Sequence, residues 1–204
     1  FAKTLPKSTA LSKATWLHRG PYNVGGRTRA LAMDILDENI LFAGGASGGM
    51  FRSTDGGQSW VMTTDPNQLH NVTCVSQDKR AGKENIWYFG SGELTGSSAS
   101  GGEAYYGGNG IYKSVDGGLS WDSLSVTATN TNGFDSNFDF IWNIETDPSN
   151  DSLDVVYAAT YGTIYRSENG GATWVKELGG GSSYYNNIEV TSSGEVYATL
   201  SSDG

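Results

Sequence analysis

The chain has 204 residues, of which 22 are Asp or Glu against 13 Lys or Arg, giving a formal net charge of -9. Affinity for a phosphate backbone depends on clustered cations, so this balance excludes nucleic acid as the expected partner. No run approaches the roughly 18 apolar residues that cross a bilayer, and the opening stretch FAKTLPKSTALSK lacks the apolar segment of a signal peptide, so no membrane span is expected and any export signal has been removed.

A hydrophobic content of 37% is enough for a substantial core, while 29 Gly, 11 Tyr and 6 Trp beside only 4 Pro point to aromatic-rich strands joined by tight turns, an all-β signature. After an N-terminal segment, residues 1–28, TRALAMDI reads as a first strand, ENILFAGG as a second and GMFRS as a third. The octet STDGGQSW (53–60) follows, and a fourth strand runs on from its tryptophan. The same order returns as NVTCVSQD, ENIWYFGSG, GIYKS and SVDGGLSW (114–121), and again as FIWNIETD, DVVYAAT, TIYRS and SENGGATW (167–174). YYNNIEVTSS and EVYATLSSDG then supply the first two strands of a further unit.

A motif present three times in register is a structural element before it is a catalytic one. Repeats of about 40 to 50 residues with four short strands are the mark of propeller blades. The expected fold is therefore all-β, a β-propeller of four-stranded antiparallel blades with about three and a half blades in this chain. The expected boundaries are blade 1 at 29–62, blade 2 at 63–126, blade 3 at 127–178 and the first half of blade 4 at 179–204, with the chain continuing and residues 1–28 offering a ring-closing strand. Within each octet the glycine pair permits the positive φ of the turn, and Asp55, Asp116 or Asn169 accepts hydrogen bonds from nearby backbone N–H groups. The tryptophans, Trp60, Trp121 and Trp174, are expected to bury their rings between blades.

The pattern S-x-D-x-G-x-[ST]-W resembles the Asp-box, or bacterial neuraminidase repeat, of sialidases, sortilin-type receptors, xyloglucan-active hydrolases and photosystem assembly factors. The resemblance assigns a structural role to Ser53, Asp55, Gly57 and Trp60, to Ser114, Asp116, Gly118 and Trp121, and to Ser167, Asn169, Gly171 and Trp174. Taken with GPYNVGGRTRALAMD and the segment around FAGGASGGMFRSTDGG, the chain is similar over residues 16 to 178 to exported surface proteins of Bacteroidetes that carry a type IX sorting domain. That likeness implies secretion or surface display, with outer-membrane secretion machinery as a transient partner.

No catalytic residue is assigned. The arginine triad of a sialidase is missing, since Arg27 and Arg29 lack its context, and Ala46 stands where the xyloglucan-active family places a catalytic Asp. Glycoside hydrolysis by the usual route needs two carboxylates, so the leading expectation is a non-catalytic module binding a surface glycan or protein. The alternative is a polysaccharide hydrolase whose carboxylates lie in other blades. Candidate ligand residues sit in the insertion SGELTGSSASGGEAYYGGNG (91–110), where Glu93, Tyr105, Tyr106 and Asn109 offer a carboxylate, stacking surfaces and an amide. Asp135, Asn137 and Asp139 alternate like the start of a calcium loop but lack its glycine and terminal Glu, so no metal or cofactor is expected. His18 and His70 are too isolated for zinc, and the lone Cys74 reads as a small buried strand residue. Asp122-Ser123-Leu124 and Asp151-Ser152-Leu153 resemble O-glycosylation tripeptides of exported proteins.

Overall fold

The structure, a computed structural model, describes residues 26–68, 71–96, 104–131, 133–181 and 185–201. Residues 1–25, among them the expected ring-closing strand and His18, and also His70, lie outside it. Three antiparallel sheets of four strands follow one another along the chain, each running from an inner to an outer strand. The first is β1 (Thr28–Met33), β2 (Leu41–Gly45), β3 (Gly49–Ser53) and β4 (Val61–Met62). The second is β5 (Val72–Gln77), β6 (Trp87–Ser91), β9 (Ile111–Ser114) and β10 (Asp122–Ser123), with the separate hairpin β7 (Glu93–Gly96) and β8 (Ala104–Tyr106) inserted between its middle strands. The third is β11 (Ile141–Thr146), β12 (Val156–Thr160), β13 (Thr163–Ser167) and β14 (Val175–Gly179), followed by the pair β15 (Asn186–Val190) and β16 (Val196–Leu200). The fold is thus a β-propeller segment of three full blades and half of a fourth. Among the described residues no helix is long and apolar enough to cross a membrane.

The core lies between blades. Phe42 and Met50 of blade 1 pack with Trp87, Phe89 and Trp121 of blade 2, and Tyr88 and Ile111 of blade 2 pack with Ile141, Ile144 and Val156 of blade 3. A bulge marks the start of each complete blade's inner strand, at Thr28/Ala30, Val72/Cys74 and Ile141/Asn143. An extra residue re-aims a side chain. Here the bulged Thr73 sends its hydroxyl to the carbonyls of Gly90 and, in the next blade, Ile141, at 3.0 and 2.6 Å. Gly90 exists for the same joint: a Cβ there would stand 2.5 Å from the Ile141 side chain and 2.7 Å from the Cys74 sulfur. Cys74 is buried as expected, and that burial pushes its thiol up to about 12.

Two expectations about side-chain burial need correction. Trp121 is 3% exposed, but Trp60 is 38% exposed. The octet tryptophan packs onto the preceding blade, as Trp121 does on Phe42, and no blade precedes β1 among the described residues. The outer strand β14, where the alternation of TWVKEL predicts one buried face, is exposed throughout because nothing described covers Val175 or Leu178.

Candidate functional site

The three octet turns have one geometry. Both glycines of each pair have positive φ, between 65° and 93°. The leading serine hydroxyl donates to the acid or amide two residues on, at 2.7, 2.7 and 2.9 Å, and accepts from the second glycine's N–H at 2.9, 2.8 and 2.9 Å. Asp55 takes the Ser59 hydroxyl and N–H, and Asp116 those of Ser120. Asn169 accepts the Thr173 N–H and donates its Nδ2–H to the Thr173 hydroxyl, so the amide replaces the acid bond for bond. These hydrogen bonds, the Ser59 hydroxyl first, hold Asp55 at about 2; at Asp116 burial alone would raise the value, but the Ser120 and Ser114 hydroxyls outweigh it and leave it at about 2 as well.

The end of the molecule opposite these turns carries the insertion and a groove of about 540 Å³. Its walls include Asn67 and Gln68 from the connection between blades 1 and 2, Asn109 from the insertion, Asn130 and Thr131 from the connection between blades 2 and 3, and Tyr112 on β9. The rim is tied down. Asn71 donates to the carbonyls of Tyr106 and Gly107, the Ser91 hydroxyl accepts the Asn109 N–H, and Gly108 donates to the Asp139 carbonyl. Asn109 and Asn130 form a reciprocal pair, Nδ2 of Asn109 to Oδ1 of Asn130 at 3.0 Å and the Asn130 N–H to Oδ1 of Asn109 at 2.9 Å. Asn130, at φ 57°, is the one non-glycine residue with positive φ among the described residues, a conformation that Asn tolerates better than most. Tyr106 stands 41% exposed beside this rim, while the Tyr112 ring is buried against Phe89 at 4.6 Å.

Of the ligand residues expected from the sequence, Asn109 and Tyr106 lie on or beside the groove, and the Tyr105 side chain is outside the described part. Glu93 is a correction. Its side chain has no exposure and forms ion pairs with Arg27 and Arg29, so this carboxylate joins blade 1 to the insertion and is not offered to a ligand. Ala46 is buried and donates its N–H to the Arg27 carbonyl. The three residues of the calcium-like pattern diverge: Asp135 accepts from Thr131, Asn137 donates to Thr163, and Asp139 caps the turn by accepting the N–H groups of Asp135 and Ser136. Among the described residues no three His, Cys, Asp or Glu side chains gather as a metal site. Asn67, Gln68, Asn130 and Thr131 carry no motif. Their only signal in the sequence is the clustering of amides and hydroxyls in DPNQ and TNTN, the two inter-blade connections.

No protein-family model and no curated protein matches this sequence. Solved structures do. The chain is 24% identical to an ancestral GH74 enzyme, with a TM-score of 0.64 over 85% of this chain and 22% of that one. It is 15% identical to an auxiliary nutrient binding protein from Bacteroides thetaiotaomicron, with a TM-score of 0.55 over 86% of this chain and 36% of that one. It is 17% identical to YCF48 in complex with a D1 peptide, with a TM-score of 0.52 over 85% and 47%. The chain therefore spans less than half the length of each, and at these identities the likeness establishes a shared propeller-type fold.

Proposed function

We propose that this chain is part of an exported or surface-displayed propeller that binds a glycan without cleaving it, with the three octets acting as structural Asp-boxes. One observation carries the reading: the groove beside the insertion is walled by amides and hydroxyls on a hydrogen-bonded, preorganised rim, and the exposed Tyr106 directly precedes Gly107 of its lining in the chain. Saccharides are bound by that combination, in which amides pair with hydroxyls and an aromatic face covers the sugar ring. The similar structures include a GH74 enzyme and a nutrient binding protein, which is compatible with a carbohydrate ligand. Secretion through the type IX machinery, by a bacterium of the Bacteroidetes, is the setting that fits the sequence resemblance.

The test is calorimetric titration with soluble plant and microbial polysaccharides, starting with xyloglucan. Asn109→Ala and Tyr106→Ala are expected to weaken binding at least ten-fold, about 1.4 kcal/mol or more, while the chain stays folded by circular dichroism. Release of new reducing ends would overturn the non-catalytic reading. Binding that ignores both substitutions would move the site elsewhere.

A further inference from the structure

Each complete blade places a cation beside an aromatic ring at the position just before the octet serine. Arg52 lies over Phe42 at 5.8 Å, Lys113 over Tyr88 at 5.2 Å and Arg166 over Tyr157 at 5.9 Å, each pair directly opposed across the second and third strands. In the first two blades this cation reaches into the next blade. Arg52 Nε donates to the carbonyl of Gly117, the first glycine of the second octet, at 3.0 Å, and Lys113 Nζ donates to the equivalent Gly170 carbonyl at 3.0 Å. The ring completes the seat: a Cβ on Gly118 would fall 2.2 Å from Phe42. Of the glycines seated in this way, Gly118, Gly170 and Gly171 are buried and Gly117 is half-buried, whereas in the first octet Gly56 is exposed and Gly57 half-buried.

The third seat is built and, among the described residues, holds no glycine. Arg166 Nε, the counterpart of the atom that Arg52 uses, is buried with no hydrogen-bond partner among the described residues, and the guanidinium leans instead on Glu168 at 2.7 Å and Glu177 at 3.9 Å of its own hairpin. Beyond it, β16 pairs only with β15 among the described residues, and Tyr197 is 66% exposed.

We propose that the Arg166–Tyr157 face receives a further Gly-Gly octet hairpin, the outer strand pair of the blade that β15 and β16 begin, carried by the same polypeptide. The hairpin adds its strand to the free edge of β16. The guanidinium turns from Glu168 to the carbonyl of the hairpin's first glycine, and Tyr157 fits under the second.

The probe is a cyclised peptide of residues 163–179, the chain's own third hairpin, added to the whole 204-residue chain. Saturable binding is expected, weakened at least about five-fold by Arg166→Gln in the chain and abolished by Gly170→Ala with Gly171→Ala in the peptide. The chain alone gives a second measurement. Arg52→Gln and Lys113→Gln lower its melting temperature by several degrees because their carbonyls are in place, whereas Arg166→Gln leaves it within about one degree. An equal loss for Arg166→Gln, peptide binding that ignores the substitution, or no binding by the cyclised hairpin would overturn the proposal. Self-association of the chain that Arg166→Gln abolishes would assign the seat to a second copy and overturn the occupant named here.

Discussion

At the scale of single residues, the octet acid is a clamp whose charge is incidental. Asn169 does with an amide what Asp116 does with a carboxylate, so Asp116→Asn is expected to leave the melting curve nearly unchanged, while Asp116→Ala frees the donors of Ser114 and Ser120 and costs about 1 kcal/mol after allowance for solvent. Asp55 and Asp116 also contribute to the acid limit. Both are held at about 2, below their ordinary value, so their contribution to stability is complete above pH ~4 and is lost as pH falls through about 2. Denaturant titrations between pH 2 and 5 should show a shallower acid slope for Asp116→Asn than for the parent chain. The clamp was legible in the sequence because all its partners lie within a few residues of one another. Glu93 was not, since its fate depends on Arg27 and Arg29, more than sixty residues away in another blade.

At the scale of strands, the inner strands decide how closely blades approach. Gly90 on β6 leaves room for Ile141 on β11, and at the equivalent register of blade 3 the chain has Ala159, buried against Ile188. Gly90→Ala is expected to force β11 outward and cost about 1 to 3 kcal/mol, read by denaturant unfolding. The same strands carry a titrating group. Burial pushes the Glu145 carboxyl on β11 up to about 7; Lys79, 3.8 Å away, opposes this and Glu189 on β15 adds to it. An acid whose folded value is raised favours the folded state while it is protonated, so this contribution is full below pH ~4.5 and is lost as pH rises through about 7. Glu145→Gln should flatten the stability profile between those limits and exceed the parent at pH 8, by about 3 kcal/mol at most. Strand order was readable because three units repeat it. The β7–β8 hairpin was not, because it occurs once and Gly/Ser-rich sequence gives no alternating pattern to read.

At the scale of the whole segment, blades 2 and 3 are bolted together by Arg80, which lies buried at 7% exposure. It donates to the carboxylates of Asp78 and Asp154 and to the carbonyls of Asn150 and Leu153. Those acids keep the guanidinium protonated at any accessible pH. Removing it strands Asp78, so Arg80→Met is expected to lower stability by about 3 to 5 kcal/mol, and Arg80→Lys, with no planar fork to reach both acids, should recover little of the loss. Calorimetric unfolding of the two variants checks both. The outer joints are of a different kind. A cation that binds a main-chain carbonyl of the neighbouring turn is indifferent to every side chain there, requiring only that two glycines be present. At that joint the side chains of the neighbouring turn are free to vary, whereas the packed core and the Arg80 network between the same blades tie each blade to the sequence of its neighbour.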